Sequence, residues 1–141
     1  MVNNGKNIKR AGIVGLEILD ELVGAYEPFV GTDGKTHVRK AKKYQVINGV
    51  NVKLSSERYD VFKKSLTCCK CGITGRYFAI ECTDLKNTSN YHLNLYGIDE
   101  NNQEVLMTKD HIQPKSKGGR NRQGNYQTMC VKCNGEKGNK Q

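Results

Sequence analysis

Six cysteines stand in a chain of 141 residues, and four of them form two Cys-x-x-Cys pairs: Cys68 with Cys71, and Cys130 with Cys133. Two residues between thiols is the bite that sets both sulfurs on one tetrahedral ion. Four thiolates then close the coordination sphere of a zinc and leave no position for water. The chemistry expected of such a site is structural. The stretch between the pairs is far longer than in an ordinary zinc finger, so the site would clasp the middle of the chain to its end. Cys69 could stand in for Cys68, but Cys69-x-Cys71 is an unfavourably tight spacing. Cys82 reads as a small buried hydrophobe. His92 is a conceivable substitute ligand, although a lone histidine between strand residues is more simply a packing or surface residue.

The second half of the clasp lies in the run DHIQPKSKGGRNRQGNYQTMCVKCN, from Asp110 to Asn134. It opens on an Asp-His pair, continues through Lys115, Lys117, Arg120 and Arg122 around Gly118 and Gly119, and closes on the second cysteine pair. The chain carries a formal charge of +9, and residues 110–141 hold seven Lys+Arg against two Asp+Glu. A surplus gathered there points to a polyanion, and nucleic acid is the commonest one. The four basic residues of the loop are candidate contacts to a phosphate backbone, with Lys137 and Lys140 as weaker ones. A second basic cluster, THVRKAKKY from Thr36 to Tyr44, fits a solvated loop at least as well.

The elements Asp110-His111-Ile112-x-Pro114-x-Ser116, Gly118-Gly119, Asn125, both cysteine pairs and Cys133-Asn134-x-x-Lys137 together resemble the HNH endonuclease motif, the strand, loop, strand and helix unit also called the ββα-metal fold. The resemblance covers Val105 to the C-terminus. It implies that His111 is the general base that takes a proton from the attacking water, a task suited to imidazole near neutral pH. It implies that Asp110 and Asn134 are the protein ligands of one divalent ion, that Asn125 orients the histidine, and that the products carry 5′-phosphate and 3′-hydroxyl ends. Asn134 stands where many members have histidine. With Asp110 it would make an oxygen donor set, which suits magnesium or manganese.

Neighbouring residues on a regular strand face opposite ways, so Asp110 and His111 can serve one phosphate only where the strand ends or bends. Pro114 and the glycines beyond it favour such an exit. Free-standing nucleases of this size resemble those of phages and mobile elements, with homing, restriction-like or packaging roles. The implied partner is double-stranded DNA, and a homodimer is required only if one site per chain must break both strands. The alternative from another class is a zinc-stapled DNA-binding module that does not cut. The presence of His111 with both metal-ligand positions argues against it, since binding alone needs none of them.

The elements that must position these residues follow from the hydrophobic pattern. Ile8, Ala11, Gly15, Ile18, Leu19, Leu22 and Val23 predict a helical stripe from Ile8 to Tyr26. YQVINGVNVKL, Tyr44 to Leu54, predicts a hairpin about Asn48-Gly49. Ser55 or Ser56 can cap a short helix through Tyr59, Val61 and Phe62, with Glu57 in its first turn. Strands are predicted at Tyr77–Glu81, His92–Tyr96 and Val105–Asp110.

The fold class expected is α+β: a ββα-metal nuclease core over residues 61–141, stapled by the four-cysteine zinc, with residues 1–60 as a helix and hairpin extension in reach of DNA. Only 36% of residues are hydrophobic, none is tryptophan and fifteen are glycine, so a metal staple is a sensible addition to a thin core. The apolar stretch from Ala11 to Gly31 is broken by Glu17, Asp20, Glu21 and Glu27, which excludes a bilayer span. MVNNGKNIKR carries no signal core. A cytoplasmic location is expected, that of the host if the chain is phage-encoded, where thiols stay reduced.

Overall fold

The computed structural model describes residues 8–22, 26–40, 44–82, 91–112 and 125–138. Nine strands and three short helices are present among them. The core is a five-stranded antiparallel sheet built from β1 (Lys9–Val14), β6 (Gly75–Cys82), β7 (His92–Ile98), β8 (Glu104–His111) and β9 (Tyr126–Cys130), in that spatial order. Two hairpins stand apart from it: β2 (Tyr26–Val30) with β3 (Thr36–Lys40), and β4 (Tyr44–Ile47) with β5 (Val50–Lys53). The helices are α1 (Ile18–Leu22), α2 (Arg58–Lys64) and α3 (Val131–Lys137). No described helix is long and apolar enough to cross a membrane.

The strand predictions at Tyr77, His92 and Val105 correspond to β6, β7 and β8. β6 is buried without a break from Phe78 to Cys82, as expected of a strand covered on both faces. The β4–β5 hairpin turns at Asn48 (φ 51°) and Gly49 (φ 79°), the left-handed pair that a tight Asn-Gly turn demands. The predicted helix through Tyr59, Val61 and Phe62 is α2. Ser56 Oγ accepts from Arg58 N at 3.3 Å at its start, and Tyr59, Val61 and Phe62 are its buried face.

The N-terminal helix is corrected. Residues Lys9–Val14 form β1, and only Ile18–Leu22 is helical; Val23 lies outside the described residues. Arg10 to Val14 find ladder partners from Glu81 to Phe78 on β6, and a bulge falls between Arg10 and Gly12. Gly12 has φ 152°, and a Cβ there would lie 2.3 Å from Asn48 Nδ2, so glycine serves the bulge and the close approach of the Asn48 turn while weakening any helix. Arg10 locks the strand in place: its guanidinium meets Glu81 at 2.6 Å and both carboxylate oxygens of Glu104 at 2.9 and 3.0 Å, and lies 5.1 Å above the Tyr96 ring.

The division at residue 60 falls inside α2 and does not separate two cores. Leu19, Val52, Leu54 and Tyr59 pack in one cluster with Phe78, Ile80, Leu93, Leu95, Met107 and Met129. Each fully buried aliphatic or aromatic side chain in such a cluster stabilises the fold by roughly 1.5–3 kcal/mol. Residues on both sides of the boundary therefore share one source of stability.

Candidate functional site

The Sγ atoms of Cys68, Cys71, Cys130 and Cys133 all lie within 4.8 Å of one another. Cys68 and Cys71 flank the turn between α2 and β6, where Cys68 N donates to Ile73 O at 2.8 Å and Gly72 N to Cys68 O at 3.1 Å. Cys130 ends β9 and caps α3, its sulfur accepting from Cys133 N at 3.5 Å. Tetrahedral zinc with bonds of about 2.3 Å holds its sulfurs about 3.8 Å apart, and Cys71 Sγ lies 3.8 Å from Cys130 Sγ. The group could hold a metal ion. Burial pushes the Cys130 and Cys133 thiols up. Burial also acts upward on Cys68, but backbone contacts at Cys71, Cys130 and Lys70 outweigh it and bring that thiol down to about 6. Cys69 is not one of the four, and Cys82 is 4% exposed at the end of β6.

The clasp joins α2 and β6 to the end of β9, next to the Asp-His pair. β8 and β9 pair in regular register, with Asp110 opposite Gln127 and His111 opposite Tyr126, and the ladder continues through Ile112 N to Asn125 O at 2.8 Å. The alternation of a strand sorts the side chains onto two faces. On one face are Thr108 and Asp110, and α3 lies over them: Asn134 Nδ2 donates to Thr108 Oγ1 at 2.9 Å, and Lys137 Nζ lies 2.7 Å from Asp110 Oδ2. Asn134 and Lys137 are three residues apart, so one helix face carries both. Gln127 Nε2 donates to the same Asp110 oxygen at 2.9 Å. On the other face the His111 ring meets Tyr126 edge-on at 5.0 Å, and Lys109 Nζ lies 4.2 Å above the Tyr126 ring.

Strand, strand and helix follow one another through this segment, and its residues 98–141 match the family model of HNH endonucleases. Through this segment the chain is similar to HNH endonucleases. The match points to nuclease chemistry in this segment. No curated protein and no solved structure matches the chain.

The HNH segment brings Asp110, His111, Asn125 and Asn134 to one end of the β8–β9 ladder and the helix behind it. The expected bend between Asp110 and His111 is absent: register is regular to Ile112, and the two side chains lie on opposite faces. Lys115, Lys117, Arg120 and Arg122 lie outside the described residues, as does Lys140.

Lys137 is corrected from an exposed phosphate contact to an interior residue. Its side chain is 6% exposed, and its ammonium bonds both Asp110 Oδ2 and the His111 carbonyl, each at 2.7 Å. The signal for this was available in part, since Asn134-x-x-Lys137 sets both side chains on one helical face. Gln127, Tyr126 and Thr108 gave no such signal, because their places depend on ladder register and not on local spacing.

Proposed function

We propose that this protein is a metal-dependent endonuclease that hydrolyses phosphodiester bonds of double-stranded DNA and leaves 5′-phosphate and 3′-hydroxyl ends. The observation that carries the reading is the β8–α3 contact, in which Lys137 bonds Asp110 and Asn134 bonds Thr108 on the same strand face, with His111 next in the chain. Asp110 Oδ2 is held by Gln127 and Lys137, and Oδ1 has no hydrogen bond among the described residues. Asn134 commits its amide nitrogen to Thr108, which leaves the amide oxygen as the ligand-capable atom. Such oxygen donors fit magnesium or manganese. A divalent ion held by Asp110 and Asn134 would neutralise charge on the phosphate and on the departing sugar oxygen.

His111 would take the proton of the attacking water on a ring nitrogen, and Asn125, at the adjoining step of the ladder, would orient that ring. Tyr126 holds the imidazole from the side. Because Asp110 and His111 lie on opposite faces, the scissile phosphate must straddle the end of β8 to reach both. The loop basic residues Lys115, Lys117, Arg120 and Arg122 would hold flanking phosphates.

The four cysteines would hold a structural zinc: four thiolates leave it no open position for chemistry. The alternative of a zinc-stapled module that binds DNA without cutting draws on the Lys137–Asp110 pair, which neutralises the carboxylate's charge without an ion. Incubation of the purified protein with supercoiled plasmid and magnesium separates the two. Conversion to relaxed and linear forms supports the nuclease, and no conversion with any divalent metal supports the binding module.

A further inference from the structure

Because β7 and β8 are antiparallel, the start of β7 lies toward the same end of the sheet as the finish of β8. Their ladder covers only Tyr96–Leu106 to Ile98–Glu104, after which β8 pairs with β9 alone. A cleft of about 380 Å³ lies at the start of β7, lined by Lys53, Ser56, Arg58, Glu81, His92 and Asn94. It is connected to the nuclease site through two side chains. Tyr126, which packs on His111, lies beside Glu57, and Glu57 precedes Arg58. On β9, Thr128 lies on the same face as Tyr126 and donates to Ser65 O at 2.6 Å, so the segment carrying α2 packs on the His111 face.

The cleft is cationic, and no carboxylate among the described residues pairs with its cations, Lys53 and Arg58. The Arg58 guanidinium gives one bond to Leu93 O at 3.1 Å and lies 5.6 Å from the Tyr59 ring, and its buried Nε has no hydrogen-bond partner among the described residues. The one acidic residue of the lining, Glu81, is 2% exposed and already engaged by Arg10, Asn94 at 2.9 Å and Tyr96 at 2.5 Å. Two cations without a carboxylate partner among the described residues, around a concave space with an imidazole beside them, form a phosphate-binding arrangement, since a guanidinium with unused donors matches phosphate oxygens. Burial, then the charges of Arg58 and Lys53, hold His92 below the ordinary imidazole value.

We infer that the cleft of Lys53, Arg58 and His92 is a second DNA-contact site, which holds a backbone phosphate of the duplex outside the catalytic site. The inference rests on the nuclease reading for the identity of the polyanion, but binding can be measured without cutting. The probe is a short duplex DNA, titrated without divalent metal over a series of salt concentrations. Removing one phosphate-binding cation lowers the slope of log affinity against log salt by about one.

Lys53→Gln should weaken binding about tenfold at low salt and flatten the slope by about one. Lys53→Glu should weaken it further. Only the Lys53 backbone N–H joins the sheet pairing, to Tyr91 O, so these side-chain changes leave that bond in place. If both variants keep the parent's circular dichroism and bind with the parent's affinity and slope, the inference is overturned. A protein that leaves plasmid uncut while Lys53→Gln still flattens the slope would overturn the nuclease reading and leave the cleft standing.

Discussion

Lys137 and Asp110 form a buried ion pair: the ammonium lies 2.7 Å from Oδ2, with the two side chains 6% and 9% exposed. The same ammonium bonds the His111 carbonyl at 2.7 Å, so one helical residue ties down both members of the Asp-His pair. Removal of one partner leaves a buried charge unmatched, which costs about 3 kcal/mol or more. Lys137→Met should therefore lower the unfolding free energy by about that amount. Adding Asp110→Asn should recover part of the loss, because the uncompensated carboxylate is then gone. Urea unfolding of the parent, both single variants and the double variant measures this coupling, and strictly additive losses would show that the pair contributes nothing.

The cysteine cluster should hold one zinc per chain. Cys130→Ser should remove the metal and lower the melting temperature by on the order of 10 °C, since metal binding and folding are coupled where the ligands come from distant segments. Elemental analysis of the folded protein is the check. A zinc-free folded protein, or a disulfide at Cys68, would contradict the assignment.

Acid should loosen the N-terminal strand. Burial acts to raise the Glu104 carboxyl, but hydrogen bonds from Arg10 and Tyr77 outweigh it and hold it below its ordinary value of 4.5. A depressed folded value means stability that is complete above the unfolded value and is lost as pH falls through the folded one. Stability should therefore fall below about pH 4.5, and Glu104→Gln, less stable at pH 7, should lose less of its remaining stability over that range. Unfolding midpoints from neutral pH to pH 3 for both proteins give the test. Parallel curves would remove Glu104 from the account.

What was legible in the sequence was local. The two cysteine pairs, the Asn48-Gly49 turn and the spacing from Asp110 to Asn134 each carry their geometry within a few residues, or within a motif of fixed order. What was hidden depends on distant partners. Arg10 belongs to a strand because Glu104, 94 residues away, and Glu81, 71 residues away, receive its guanidinium. The periodicity of Ile8 to Val23 contains no trace of either. Lys137 looked like a surface cation because no rule of composition pairs it with Asp110, 27 residues earlier.

The ligand set should decide the catalytic metal. Asn134→His exchanges a hard amide oxygen for an imidazole nitrogen and should shift cleavage from magnesium or manganese toward nickel or cobalt, while Asn134→Ala should impair it with every metal. Rates across a panel of divalent ions, on protein whose cysteine-bound zinc is verified as retained, provide the comparison. Strong nickel preference in the parent chain would show that the oxygen-ligand argument fails.

The central claim is that His111 moves a proton during DNA cleavage, and it is tested most directly by measuring plasmid cleavage and duplex binding side by side for the parent and His111→Ala. The account predicts a cleavage rate lower by about two to four orders of magnitude with DNA affinity little changed. Cleavage by His111→Ala at the parent's rate would contradict it.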